Sequence, residues 1–106
     1  GVRLYFSEHI DEPLTLAQVC RANNCNRAVL QQAFKARVHL GPMEVFSRMK
    51  AEQAGVLLAQ GYSSGEVARM LCYSSQAWFS RRFTALTGQT PGQYRRAPRP
   101  LHLCEW

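Results

Sequence analysis

Acidic residues are scarce in this sequence, and two long stretches lack them altogether. No Asp or Glu occurs between Glu12 and Glu44, and none occurs between Glu66 and Glu105. The chain carries 7 acidic residues against 13 Lys and Arg, which gives a net charge of +6 at pH 7. A basic surface of this kind suits a polyanionic partner, with nucleic acid as the first candidate and an anionic membrane surface as the second.

Several other features are missing, and each absence excludes a class of protein. No apolar run reaches the length that spans a bilayer, and no secretory signal is present. The cysteines include no CxxC pair and the histidines are scattered, so the spacing predicts neither a zinc site nor another cofactor. Cys20 and Cys72 are predicted to be buried and no histidine has a placed carboxylate partner, so the sequence does not predict an enzyme.

The cysteines indicate a reducing compartment instead of a metal site. Cys20 and Cys72 fall on the apolar stripes of predicted helices, where a free cysteine behaves as a small buried hydrophobic residue. We therefore expect a reduced, cytosolic protein. The chain begins with Gly1 and not with Met, so we also expect it to be part of a longer protein.

An alternating strand pattern is also missing. Apolar residues recur at intervals of three and four, which is typical of α-helices, so we predict an all-α chain of about seven helices. Gly and Pro divide it into short segments, with one long segment from Pro42 to Ala59. As a single helix, that segment would be about 27 Å long at 1.5 Å per residue.

The chain contains an internal repeat. Thr15-x-x-Gln and Ser63-x-x-Glu each have the form of a capping box that begins a short helix. A tight turn follows each short helix, and a longer helix then begins at Asn26 or at Ser75. The two copies are offset by 48 residues before the turn and by 49 after it. We predict two helix-turn-helix units, held apart by the long helix on the scale of one DNA turn, roughly 34 Å.

The longer helix of each unit has an outward face that is suited to DNA. Gln can pair with adenine, and Arg with guanine, through two hydrogen bonds each. Side chains of this chemistry on the outward faces are Gln31, Gln32, Gln76 and Arg81. Other basic side chains are better suited to contact phosphate, and such contacts position a protein on DNA without specifying sequence. They are Arg27, Lys35, Arg82, Arg95 and Arg96.

These observations also have a plainer interpretation. A stripe of Gln, Ser and Arg is typical of any solvated helix face, and one such helix would not favour DNA binding. Two acid-free copies, each following a capped helix and a tight turn, do favour it. Trp78 is interpreted as a partly buried packing residue and not as a base contact. The residues interpreted as core or half-buried are Tyr5, Phe6, Phe46, Tyr62 and Tyr94.

Residues 66–96, EVARMLCYSSQAWFSRRFTALTGQTPGQYRR, resemble the C-terminal signature of AraC-type (AraC/XylS) transcription regulators. That signature is roughly an Ala-containing helix, a Gly-Phe turn, an aromatic-Phe-Ser-Arg-x-Phe helix and Gly-x-x-Pro-x-x-Tyr-Arg. Residues 8–16, EHIDEPLTL, and the helix from Leu30 to Phe34 resemble the first half of the family's domain. The resemblance extends from Tyr5 to about Arg96.

The resemblance implies two helix-turn-helix subdomains whose second helices enter adjacent major grooves on one face of double-stranded DNA. It implies that outward positions of those helices contact bases: Ala28, Gln31, Gln32, Gln76, Ala77, Ser80 and Arg81. Family members are mostly activators that also touch RNA polymerase. They often carry an effector-binding or dimerising domain, which would precede Gly1. A cytoplasmic, nucleoid-associated protein is expected.

Three residues depart from the family pattern. Cys72 stands where Gly is usual, in a turn where Gly tolerates a positive φ, so we expect this turn to be regular or mildly strained. His39 replaces a usual Gly near the end of the first recognition helix, and Lys50 stands where Arg is common. Ala28 offers only a methyl group, so the first helix is expected to contact bases less stringently.

We divide the chain into a first unit with the connecting helix (1–61), a second unit (62–96) and a tail (97–106). The tail contains Pro98 and Pro100 and is expected to be disordered. No heptad seam is present, so this chain alone is expected to be a monomer. Two alternatives stay open, namely a helical protein-interaction module and the DNA-binding part of a DNA-repair methyltransferase fusion.

Overall fold

Seven α-helices, and no strand, make up the part of the chain that the structure describes. A computed structural model describes residues 2–101 and 103, except for the side chain of residue 3. The helices are α1 (Val2–Glu8), α2 (Leu16–Ala22), α3 (Arg27–Val38), α4 (Pro42–Ala59), α5 (Ser64–Met70), α6 (Gln76–Thr87) and α7 (Pro91–Arg96). The predicted all-α fold, with one long connecting helix, is confirmed.

Side-chain caps set the helix starts. The Thr15 hydroxyl accepts from the backbone N–H of Gln18 at 3.2 Å, and Gln18 Oε1 accepts from the Thr15 N–H at 2.8 Å. Ser63 and Glu66 form the same reciprocal pair at the start of α5. Both predicted capping boxes are confirmed, and Thr90 forms a third one at α7. Each box satisfies two amide donors that a helix end would otherwise leave unpaired.

The repeat extends to the backbone conformation of the turns. Asn24 and Cys72, which are 48 residues apart, follow the short helices with φ angles of 52° and 57°. His39 and Gly88, which are 49 residues apart, end the longer helices with φ angles of 62° and 80°. A side chain with a Cβ is strained in this left-handed region. The turn at Cys72 is therefore strained and not regular.

The expected burial of Cys72 is wrong, because its side chain is exposed. The apolar stripe of α5 ends at Leu71, which is 3% exposed, and the left-handed turn at the next residue directs the thiol away from the core. Cys20 is half-buried on α2.

Each unit has its own hydrophobic core, and α4 contributes to both. The first core consists of Phe6, Val19, Leu30, Val45 and Phe46. The second core consists of Ala51, Ala54, Leu57, Leu58, Val67, Ala68, Leu71, Phe79, Phe83 and Tyr94. The N-terminal half of α4 thus belongs to the first unit, and its C-terminal half belongs to the second. The molecule is elongated, with extents of 41 × 23 × 20 Å.

The C-terminal segment packs on the second unit, so the expectation of disorder is wrong for residues 97–101 and 103, which we call the strap. The Tyr94 hydroxyl donates to the carbonyl of Arg99 at 2.6 Å. Leu101 and Leu103 pack against the second core. Residues 102 and 104–106 of the predicted tail lie outside the described residues.

Two contacts show how the strap is anchored. The Arg99 guanidinium donates to the carbonyl of Thr87 at 2.5 Å, where α6 ends. Leu101 lies over Gly55 so closely that a Cβ at Gly55 would be 2.7 Å from the Leu101 Cδ1. Gly55 therefore makes room for the strap on the surface of α4.

Candidate nucleic-acid interface

The outward face of α3 carries the predicted contacts of the first unit. Leu30 is 4% exposed and faces the core, with Phe34 and Val38 half-buried beside it. The predicted base contacts on the opposite face, Ala28, Gln31 and Gln32, are all exposed. The predicted phosphate contacts Arg27 and Lys35 are exposed as well.

The outward face of α6 repeats this arrangement. Phe79 and Phe83 are buried in the second core, at 0% and 1% exposure. The predicted base contacts of α6 are Gln76, Ala77 and Arg81, which are exposed, and Ser80, which is half-buried. The structure therefore places the predicted base contacts of each unit together at the N-terminal half of a longer helix.

Ser64 orients Gln76, and sequence patterns did not single it out. The Gln76 Nε2 donates to the Ser64 hydroxyl at 2.8 Å, across from α5. A Cβ at Gly65 would be 3.2 Å from Gln76 Oε1, so Gly65 leaves room for the amide. An amide nitrogen has two hydrogens, so Gln76 keeps one donor and its acceptor for the two-bond pattern that adenine offers. Residue spacing could not reveal this pair, because the two residues lie on different helices.

Trp78 and Val29 form a second feature that the sequence interpretation missed. Trp78 is 48% exposed, so its interpretation as a partly buried packing residue is wrong. Val29 occupies the equivalent position in the first copy and is 56% exposed. Each residue precedes a buried one by a single position, which turns it about 100° away from the core. Exposed apolar groups at these positions can contact a thymine methyl group.

Arg82 differs from the other predicted phosphate contacts, because its guanidinium has partners within the protein. Its Nε donates to the Ser47 hydroxyl at 3.0 Å, and its Nη2 forms a short ion pair with Glu44. Both partners lie on α4, and only 25% of the Arg82 side chain is exposed. A phosphate contact from Arg82 stays a prediction.

Arg95 and Arg96 lie exposed in the last turn of α7. Arg95 is near the capping box of α5, whose carboxylate is Glu66. The pKa of Glu66 lies below its usual value, chiefly because the Ser63 backbone N–H and hydroxyl are hydrogen-bonded to it. Arg69 and Arg95 lower the pKa of Glu66 further. The carboxylate therefore stays charged and offsets part of the local positive potential.

The described residues offer little to other kinds of site. Within residues 2–101 and 103, no three of the His, Cys, Asp and Glu side chains come together as ligands for a metal ion. In the same residues no helix combines the length and the apolar character needed to cross a membrane.

The structure is a tandem helix-turn-helix DNA-binding domain. Its two exposed, acid-free helices lie at equivalent positions of a repeat, and each is preceded by a short capped helix. A family model described as a helix-turn-helix domain matches residues 19–97. The chain belongs to the AraC family of transcription regulators, whose members are DNA-binding proteins.

Individual relatives agree with this family. The chain is 30% identical over 92 residues to the regulatory protein SoxS of Salmonella typhimurium, which covers 86% of both proteins. It is 26% identical over 94 residues to the raffinose operon regulator RafR of Pediococcus pentosaceus, covering 88% of this chain and 34% of RafR.

One solved structure is the C-terminal domain of AraT, a response regulator from Geobacillus stearothermophilus. It superposes with a TM-score of 0.84 at 27% identity, over 95% of this chain and 84% of that domain. The chain spans about a third of the length of the first curated relatives it matches.

Proposed function

We propose that this chain binds double-stranded DNA sequence-specifically and thereby regulates transcription, with α3 and α6 in adjacent major grooves. The single observation that carries the proposal is the duplication itself. Two helices present exposed Gln, Ala and Arg side chains at equivalent positions, and neither helix contains an acidic residue. A major groove admits such a helix, whereas an acidic face would be repelled by phosphate.

The exposed side chains divide into two roles under this proposal. The base contacts are Ala28, Gln31 and Gln32 from α3, and Gln76, Ala77, Ser80 and Arg81 from α6. Val29 and Trp78 add apolar contacts beside them. The phosphate contacts are Arg27, Lys35, Arg95 and Arg96, which would fix the orientation of the protein on the duplex. Arg82, the fifth predicted phosphate contact, is set apart from these four because it is paired with Ser47 and Glu44.

The relatives support a wider proposal about the activity of the whole protein. One relative is named as the transcriptional activator RhaR of Salmonella schwarzengrund, at 26% identity. We propose an activator that contacts RNA polymerase in the bacterial cytoplasm, at the nucleoid. Since the chain spans only about a third of the first relatives, we also propose that an effector-binding or dimerising domain precedes it.

Selection from a randomised duplex pool at two salt concentrations tests this function. We expect one motif made of two half-sites about one helical turn apart, and affinity that falls steeply with salt. Each neutralised phosphate adds about 0.9 to the slope of log affinity against log salt. A pool that yields no motif would show that the chain binds DNA only non-specifically.

Charge reversal separates DNA binding from the protein-interaction alternative. Arg81→Glu places an acid on the exposed face of α6, where phosphate would repel it, so DNA affinity should collapse. A protein whose function is only to bind another protein through this fold would show no DNA affinity to lose.

A further inference from the structure

A cluster of polar contacts lies where the two units meet, between α4 and α6. Arg82 reaches from α6 of the second unit to Ser47 and Glu44 in the N-terminal half of α4, which belongs to the first core. Glu44 also accepts from Arg48 Nε at 3.3 Å, one turn along the same helix. We call the contacts of Arg82, Glu44 and Ser47 the clasp.

Lys50 makes a second connection beside the clasp. Its Nζ donates to the carbonyl of Glu12 at 3.2 Å, in the loop between α1 and α2 of the first unit. The same ammonium lies 5.2 Å from the ring centroid of Tyr73, in the turn of the second unit, and 5.2 Å from that of Phe46. Lys50 is only 7% exposed, and burial lowers its pKa. A buried cation therefore contacts both units at once.

These polar contacts add directionality to the apolar packing of the second core. The hydrophobic attraction between α6 and α4 is itself not directional, and packing of ridges into grooves allows more than one crossing angle between two helices. The forked guanidinium of Arg82 needs both of its α4 partners at set positions, which fixes angle and register together. Partial burial also protects the Arg82–Glu44 pair from screening by salt.

We propose that the clasp fixes the angle and separation between α3 and α6, and thereby selects how many base pairs separate the two half-sites. Arg82 is then a positioning residue for the second recognition helix, and its guanidinium is not available to phosphate. The selection of half-site spacing depends on the proposed DNA-binding function, whereas the orientation of α6 by the clasp does not.

Two variants with opposite charge effects distinguish positioning from phosphate contact. Arg82→Gln removes a positive charge and Glu44→Gln removes a negative one, yet both break the same ion pair. If Arg82 positions α6, both variants should behave alike. If Arg82 contacts phosphate, Arg82→Gln should weaken DNA binding and Glu44→Gln should strengthen it.

Affinity is measured for duplexes that carry both selected half-sites at the best spacing and at spacings one and two base pairs longer and shorter. A duplex that carries only the second half-site is measured as well. We expect both variants to reduce the preference for the best spacing about tenfold, within the usual range of coupling between sites. Affinity for the single half-site should stay within about twofold of wild type, since no base contact changes. Arg82→Lys, which can keep one hydrogen bond, should give an intermediate preference. Arg81→Gln is the control that weakens the single half-site.

A second readout needs no DNA. Residual dipolar couplings of the α3 and α6 amides report the relative orientation of the two units in the chain alone. In wild type, the couplings of both units should fit a single relative orientation of the units. In both Gln variants, the couplings of each unit should still fit the structure of that unit, but the two sets together should show an average over several relative orientations. The Ser47→Ala variant, which keeps every charge, repeats the test if either Gln variant does not fold.

The two readouts separate the clasp from the proposed function. Unchanged couplings in the variants would overturn the clasp, whatever the DNA results are. The variants could show averaged couplings while the wild-type protein selects no paired half-sites. In that case the clasp would still orient α6, but the proposed DNA-binding function and the effect on half-site spacing would be overturned. A salt slope lower by about 0.9 in Arg82→Gln alone would assign Arg82 to a phosphate contact.

Discussion

At the scale of single residues, the left-handed turn after each short helix shows how a Cβ atom strains the backbone at a positive φ. Asn24 occupies this position in the first copy, and Asn is one of the side chains that tolerate it. Cys72 occupies it in the second copy with a φ of 57°, where Gly would carry no Cβ penalty.

Cys72→Gly should therefore stabilise the protein by about 1 kcal/mol, the difference between relieved strain and the added freedom of the unfolded chain. Urea unfolding followed by circular dichroism measures this change. Cys72→Ala is the control, because it removes the thiol and keeps the Cβ. A Gly variant less stable than the Ala variant would show that the turn stores no strain, because only the added freedom of the unfolded chain would then remain.

The division of the interface into base and phosphate contacts is testable with one pair of residues. Gln76→Ala should change base preference at one or two positions of the selected motif, because Gln76 offers one donor and one acceptor beyond its bond to Ser64. Arg96→Ala should weaken binding to all sequences alike. A panel of single-base variants of the motif measures both effects. If the two variants had the same profile across that panel, the division would be wrong.

Side-chain positions along a helix could be predicted from the sequence, but contacts between helices could not. Periodicity placed Gln31 and Arg81 on exposed faces, because a helix repeats every 3.6 residues. Trp78 was misplaced because its position is next to the buried stripe, one residue before Phe79, and not within it. Ser64 was missed because its contact depends on how α5 packs on α6.

At the scale of elements, helix starts were more predictable than helix ends. Thr15 and Ser63 act through residues three positions away, so the capping signal lies in a short stretch of sequence. The ends depend on left-handed residues, and here His39 and Cys72 replace the Gly that normally marks such a position. The strap left no periodic signal, since Leu101 packs on Gly55, which lies 46 residues earlier.

The strap should contribute measurably to the stability of the second unit. Tyr94→Phe removes the hydrogen bond to the Arg99 carbonyl while keeping the buried ring, so it should lower the free energy of unfolding by about 1 kcal/mol. Urea unfolding measures this loss. Tyr62→Phe, at a 37% exposed ring, is the matched control and should change stability very little. Equal effects of the two variants would mean that the strap is not held by this bond.

At the scale of the whole molecule, two cores share one helix, so damage to one core should stay within its unit. Leu30→Ala removes buried volume from the first core and should cost about 2–5 kcal/mol there. Amide hydrogen exchange should accelerate in α2 and α3 while α5 and α6 remain protected. Leu58→Ala, in the second core, should show the reverse pattern. Uniform acceleration in both variants would show that the two units unfold together.

The sequence predicted the number of units but not their relative orientation. The 48-residue repeat shows that a second copy exists, and the apolar segment from Pro42 to Ala59 shows what joins the copies. Orientation depends on pairs such as Glu44 and Arg82, which are 38 residues apart and belong to different units. In the sequence, Arg82 looks the same as any exposed cation.

Under the proposed function, the continuous helix α4 would also determine how two weak DNA sites combine. Once the first unit is bound, the second would meet its half-site as an intramolecular partner, at an effective concentration that reaches the millimolar range for short linkers. Such coupling raises affinity by about 10²–10⁴ over either unit alone, but only when the linker holds both sites within reach. A helix with 18 residues and no Pro after its first position meets that condition at one separation and fails at others. Avidity, and with it residence time on DNA, would then depend on helical phase as strongly as on base sequence.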